Sequence, residues 1–465
     1  MPMHSRFDGP LPRAQANLGW ATLGLVLLSA LPFGANVPAA WTLLAFLVLV
    51  LFALQVALLF VRPAAVALKH TSLPVALYLA VVLWALAQSV LPVEEVFAHP
   101  LWARAPEGAI PRIGADPGKG VHVALRLATY GMIAWLMAAA ALRAEQAWTY
   151  LMAIAGFSTA LAVYAIFTGL SGVNPILGGN AGAGGQFTAT FINRNSYATY
   201  AAFGMLVNVA CYLHLSGANP AADELSALRN FLENFFSGGW VFALGALLCG
   251  AAVAMTESRG GGLAALLGVA TLVAALRSQR QGGQAALWGT LGAIVLFVAV
   301  VLGTGTLDRL LADDASGARP IVYAAIVENL SERPWLGQGA GAFHDTFRAY
   351  LPAEAARAEW DLAHSSYLEN AWELGLPMAA VLYLALALVA LRLIHGLRVR
   401  KTDAEIPAVA LAVMVTGSAH ATVDFSLQMP ATAALFAAIL GIGWSQSFPR
   451  EARASMTRRE ANNDI

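Results

Sequence analysis

The chain has 465 residues, of which 58% are hydrophobic and only 12% charged, with 27 Lys and Arg against 27 Asp and Glu. Soluble domains carry roughly 25% charged residues, so this composition argues against a water-soluble fold. A net charge of zero gives no global field that would draw nucleic acid or an acidic partner.

Each membrane crossing takes about 20 mostly apolar residues, because an unpaired backbone group in hydrocarbon costs several kcal/mol and a helix pairs its own. The N-terminal stretch MPMHSRFDGPLPRAQANLGW has two arginines before the first apolar run and no convincing small-residue cleavage site, so its helix is expected to be retained. Apolar runs then predict spans over 18–34, 39–61, 73–92, 121–142, 148–170 and 196–216. Further runs follow at 239–255, 261–276, 285–305, 366–395, 406–425 and 429–446. The expected fold class is therefore an all-α polytopic membrane protein with about twelve transmembrane helices. It divides into a bundle of about nine spans over 1–305, a large loop at 306–365, C-terminal helices over 366–446 and a tail at 447–465.

Two connectors are too long to be simple turns. Residues 93–120 are polar and rich in Pro and Gly, and residues 306–365 contain RPWLGQGAGAFHDTF. Loops of this length are usually functional or disordered. Trp335, Phe343, Phe347, Tyr350 and Trp360 predict that the second forms short packed helices lying against the membrane. With the N-terminus inside, sixteen of the 27 Lys and Arg fall in cytoplasmic segments, so the positive-inside rule puts both termini in the cytoplasm and both long connectors outside. Cys211 and Cys249 lie in apolar runs, where they are expected to pack rather than to pair or hold metal.

A charge within a span costs roughly 2.5 to 3.5 kcal/mol on the insertion scale, so each one asks for a reason. Arg126 stands less than two turns inside its span, where it either snorkels to the interface or faces a polar site. In FINRNSYATY, Asn193, Arg194 and Asn195 precede a span; a helix cap explains them, and so does an anion held at the helix N-terminus. In TESRGGGL, Arg259 sits beside three glycines, a pattern that suits a tight hairpin or a phosphate group. Arg319 opens SGARPIVYAAIVENL in the long loop, and His364 opens HSSYLENAWELGLP. The histidine is either a polar cap or a proton exchanger near neutral pH. His420 and Asp424 in HATVDFSLQMP are four residues apart, which puts them on one helical face near the outer membrane surface. They could neutralise each other or orient a substrate. No G-x-x-x-x-G-K-[ST], C-x-x-C, H-E-x-x-H or G-x-S-x-G motif is present, which disfavours nucleotide hydrolysis and zinc chemistry.

The ordered series TFINRNSYATY, SRGGGLAALL, GARPIVYAAIVENLSERPWLGQGAGAF, HSSYLENAWELGLP and HATVDFSLQMPATAALFAAILG, over about residues 120–445, resembles the O-antigen ligase and O-antigen polymerase family of bacterial envelope polysaccharide assembly. The resemblance implies a glycosyltransferase C-like fold in the bacterial inner membrane with its active site on the periplasmic face. It implies transfer of a glycan from undecaprenyl diphosphate to lipid A-core or to a growing polysaccharide, inverting, with no cofactor and no metal. By resemblance His364 would be the catalytic histidine, and Arg259 and Arg319 would hold the donor diphosphate. Arg194 and Arg126 are further diphosphate candidates, while Asn193, Asn195, His420 and Asp424 are candidates for acceptor binding or support. Pro320 after Arg319 departs from the usual family pattern but suits the first turn of a helix. The rival reading is a multi-span transporter of a small solute or anion. It would tend to place charges at the midplane and to show repeat symmetry, whereas here they gather at one face.

Overall fold

A computed structural model describes residues 10–61, 72–177, 187–216, 239–281, 318–356 and 358–448. The first helices are α1 (Pro10–Leu28), α2 (Pro38–Val61), α3 (Ser72–Val90), α4 (Pro117–Ala140), α5 (Ala144–Ser171) and α6 (Arg194–Leu215). They are followed by α7 (Trp240–Met255) and α8 (Arg259–Gln281), then α9 (Arg319–Asn329), α10 (Phe343–Phe347) and α11 (Ser366–Leu374) in and beyond the long loop. The C-terminal helices are α12 (Leu376–Val399), α13 (Glu405–His420) and α14 (Pro430–Ser445). Among the described residues seven helices, α2 to α6, α8 and α12, are long and apolar enough to cross a membrane, and α1, α7, α13 and α14 are shorter apolar helices. The chain is an all-α polytopic membrane protein. The span expected at 285–305 lies outside the described residues.

Local chemistry accounts for many helix ends. Asp116 caps α4 by accepting from Lys119 N, with Pro117 in the first turn. Asn193 caps α6 by accepting from Asn195 N and Ser196 N. Helix α14, with 16 residues buried along its whole length, spans only about 24 Å at 1.5 Å per residue. Its neighbours α1, α4, α6 and α13 enclose it. A Cβ at Gly441 would lie 2.1 Å from the Ala134 carbonyl oxygen of α4, so only glycine permits that approach, as is usual where helices meet in membranes.

The helix termini sort into two ends. At one, Gln446 donates to Ala141 O, Arg400 to Gln446 O, and Trp148 to Asp403. At the other, Thr190 donates to Ala30 O, Asn195 to Asp424, and Ser366 N to Ala421 O. The two long connectors meet at this second end. Arg333 donates to the carbonyls of Phe97, Ala98 and Ile113, and Gln338 O accepts from Ala115 N. His99 pairs with Gln338 at 2.7 Å; burial holds its imidazole down at about 4, so it is neutral there.

Three sequence expectations are corrected. The single helix expected over 366–395 is broken at Gly375, whose φ of +79° and ψ of 156° are open essentially to glycine alone. A Cβ there would meet the Trp335 carbonyl oxygen at 2.5 Å. Helix α11 therefore leaves the span and packs into the loop, where Trp372 joins Val322, Ile326, Phe343, Phe347 and Trp360 in a small core. Trp335, expected among the packed aromatics, is 74% exposed. The first helix covers Pro10–Leu28 rather than 18–34. Cys211 and Cys249 are buried free thiols, as the apolar runs implied.

Candidate active site at the loop end

His364 sits in the turn before α11 with φ +53°, a left-handed conformation that costs a non-glycine residue of order 1–3 kcal/mol. Surrounding groups hold it there from both sides. The Tyr323 hydroxyl of α9 donates to the His364 carbonyl, and the N–H of the preceding residue, Ala363, donates to Glu369 Oε2 at 2.7 Å. Ser365, not His364, occupies the cap position of α11, so the polar-cap explanation of the histidine does not hold. Its ring lies edge-on to Trp360 and Phe425, with centroids 5.6 and 4.9 Å away.

Arg319 opens α9, whose first turn also contains Pro320. Its terminal nitrogen lies 3.4 Å from His364 Nδ1. A guanidinium carries donors only, so in this contact Nδ1 presents its lone pair and the neutral ring carries its proton on Nε2. The Arg319 Nε is buried without a hydrogen-bond partner among the described residues.

The floor of the site comes from the turn after α13. That helix ends at His420, so His420 and Asp424 do not share a helical face, and each has its own partners. His420 Nδ1 pairs with the Thr199 hydroxyl of α6 at 2.6 Å. Asp424 accepts from Asn195 Nδ2 at 3.1 Å and from the Ser426 hydroxyl, while the Ser366 hydroxyl donates to its carbonyl. Both side chains are buried. They serve as braces that tie α6 and α11 to this turn. Asn193 is occupied as the cap of α6.

A second wall is formed where α7 turns into α8. A Cβ at Gly260 would come within 3.1 Å of His420 Nε2, which places the start of α8 against the same floor. Here an open cavity of about 400 Å³ is lined by Arg194, Glu257, Ser258 and Arg259, among others. Ser258 Oγ accepts from Gly261 N. Arg194 pairs with Glu257 at 4.0 Å, and the glutamate is 84% exposed. Such a loose surface pair is worth at most about 1 kcal/mol, little enough for an anionic ligand to displace. Arg126 lies over the Trp41 ring at 4.9 Å from its centroid, and its Nε is buried without a hydrogen-bond partner among the described residues.

Two buried carboxyls on α11 were not anticipated from the sequence. Glu369 and Glu373 stand one turn apart and are buried. Burial first, and then the neighbouring Glu373, push the Glu369 carboxyl well up from its ordinary range; burial does the same to Glu373 against two backbone N–H bonds. The only signal in the sequence was two acids at i and i+4 inside an amphipathic pattern, where a solvated face is the usual explanation. Among the described residues one group could hold a metal ion by geometry: His344, Glu359 and Asp361, whose ligand atoms lie within 4.8 Å of one another. Its carboxylates face solvent, and nothing connects it to His364 chemically.

Comparison with curated proteins returned no match. Residues 244–384, which include the cavity turn, the described part of the long loop, α11 and the start of α12, match the family model described as O-antigen ligase. The match covers Arg259, Arg319 and His364 but neither Arg194 nor the Asp424 turn. The resemblance read in the sequence is thus borne out over these residues, where the chain matches an O-antigen ligase domain, and the match supports an enzyme of the ligase and polymerase type.

Proposed function

We propose that the protein transfers a glycan from undecaprenyl diphosphate to a hydroxyl of lipid A-core or of a growing polysaccharide on the periplasmic face of the bacterial inner membrane. The observation that carries this reading is the 3.4 Å contact between Arg319 and His364. It sets a cation for a leaving diphosphate beside a group able to take a proton, at the end of the bundle where Arg259 and Arg194 line a cavity.

In this reading the acceptor oxygen attacks the sugar C1 as the bond from C1 to the phosphate oxygen breaks. The hydroxyl proton passes to His364, and undecaprenyl diphosphate leaves with the bonding electrons. A one-step displacement inverts that carbon. Arg259 and Arg319 would neutralise the departing charge, with Arg194 beside them, in surroundings where water screens less than in bulk. No metal is needed for charge that guanidiniums can balance. When Arg319 turns to the diphosphate it uncovers the Nδ1 lone pair of His364, so the donor would bind before the acceptor is deprotonated.

Replacing Arg259, Arg319 or His364 by Ala is expected to lower transfer by at least 100-fold, within the range usual for general bases and oxyanion donors, without loss of membrane abundance. Surface polysaccharide retained in all three variants would overturn the assignment. A lipopolysaccharide gel of a deletion strain separates the two activities. Loss of all capped chains indicates ligation, and a single repeat unit left on core indicates polymerisation.

A further inference from the structure

Among the groups that the proposed chemistry does not use, Glu369 has the most direct line to it. Its Oε2 accepts the N–H of Ala363, the residue before His364, at 2.7 Å. The same carboxyl is hydrogen-bonded by the side chain of Gln428, which follows the turn containing Asp424 and Ser426. One buried carboxyl therefore joins the strained turn of the histidine to the braced floor of the site. The opposite side of that turn is held by Tyr323. If the Glu369 contact is removed, only the Tyr323 bond is left among these to oppose relaxation of His364 from its left-handed φ of +53° toward the common regions.

We infer that Glu369 is a positioning residue for glycosyl transfer: its carboxyl ties Ala363, the residue before His364, to Gln428 and so helps to aim the imidazole. The inference rests on the reading of His364 as the proton acceptor. Because the carboxyl is buried beside Glu373, the neutral acid is favoured, and Gln is its closest replacement in shape and in retained acceptor oxygen.

The test is steady-state transfer by the purified full-length chain in nanodiscs, with a lipid-linked oligosaccharide donor and a core-oligosaccharide acceptor, comparing wild type, E369A, E369Q and H364A. Misplacing a catalytic group by about 1 Å costs roughly 100-fold, so E369A is expected to lose between 10- and 100-fold in kcat. Its donor KM should stay within about twofold, as should its accumulation in the membrane, and E369Q should recover most of the rate. Diethylpyrocarbonate labelling of His364, followed by mass spectrometry, supplies a readout without substrate: its rate should change severalfold in E369A and return to the wild-type value in E369Q. Should E369A not accumulate, Gln428→Ala removes the other half of the strut and is expected to show the same fall in kcat, to a smaller degree. Wild-type kcat in E369A or in Gln428→Ala, or equal damage in E369A and E369Q, would overturn the positioning role. Undiminished transfer by H364A would instead overturn the reading on which the inference rests.

Discussion

The residue that concentrates the most constraint is His364, a β-carbon-bearing side chain at positive φ with one hydrogen bond on its own carbonyl and another on the N–H of the residue before it. Backbone strain of this kind persists only where the surroundings enforce it, and it collects at functional sites. Tyr323 is one enforcer: burial pushes its phenol up from the ordinary range, so it keeps its proton and donates to the His364 carbonyl. Tyr323→Phe should remove that bond and little else. A neutral hydrogen bond contributes about 1 kcal/mol, so transfer is expected to fall roughly fivefold to tenfold, read as kcat with the donor KM unchanged. An unaltered kcat would show that the bond is not part of the aim of the imidazole. The arginines were visible in the sequence for the opposite reason. A charge within or beside a span asks for a reason, so Arg194 and Arg259 stood out before any neighbour was known, whereas Arg319, in the long loop, stood out by its place in the ordered motifs. Arg126 stood out equally, yet it rests on Trp41; cost marks a charge without saying what offsets it.

At the scale of elements, α11 is the unit that makes the site, and it was the least legible. Its apolar pattern runs from Ser366 into α12 and hides a stop signal, Gly375 followed by Pro377, that the expectation of one helix over 366–395 passed over. What breaks the helix is a contact across 40 residues, the Trp335 carbonyl oxygen against Gly375, and single-sequence periodicity contains no such term. The same holds for Asn195 and Asp424, which are bonded across 229 residues. The separation of α11 from the span also explains how two carboxyls come to be buried on it. An acid whose folded value lies above its unfolded one binds more protons when folded, so it opposes folding increasingly as pH rises from the unfolded value through the folded one. For Glu373, raised to about 7 with Lys119 the cation that works against the shift, that window runs from about 4.3 upward. The thermal midpoint of the purified protein should therefore decline between pH 5 and pH 8, and the decline should be shallower in Glu373→Gln. Parallel profiles for the two proteins would contradict the assignment of that carboxyl.

For the whole molecule, the proposed chemistry depends on which side of the membrane the loop end faces. The helix ends sort into two groups by their hydrogen bonds, and every residue proposed to touch donor or acceptor belongs to the group with the long connectors. Lipid-linked glycans reach a ligase from the periplasmic leaflet, so the proposed chemistry requires the loop end to be outside. The positive-inside count requires the same thing on independent grounds, because it uses Lys and Arg in short connectors at the other end. Two exposed positions test both at once: Trp335 at the loop end, 74% exposed, and Glu145 at the start of α5, whose side chain is 82% exposed. Native Cys211 and Cys249 are buried and give a low background for thiol labelling. In intact cells made permeable only at the outer membrane, a membrane-impermeant maleimide should label Trp335→Cys and leave Glu145→Cys unlabelled until the inner membrane is opened. The reverse pattern would put the arginines, the histidine and their cavity in the cytoplasm, out of reach of a periplasmic acceptor, and would leave an anion path through the bundle as the better explanation of the same charges.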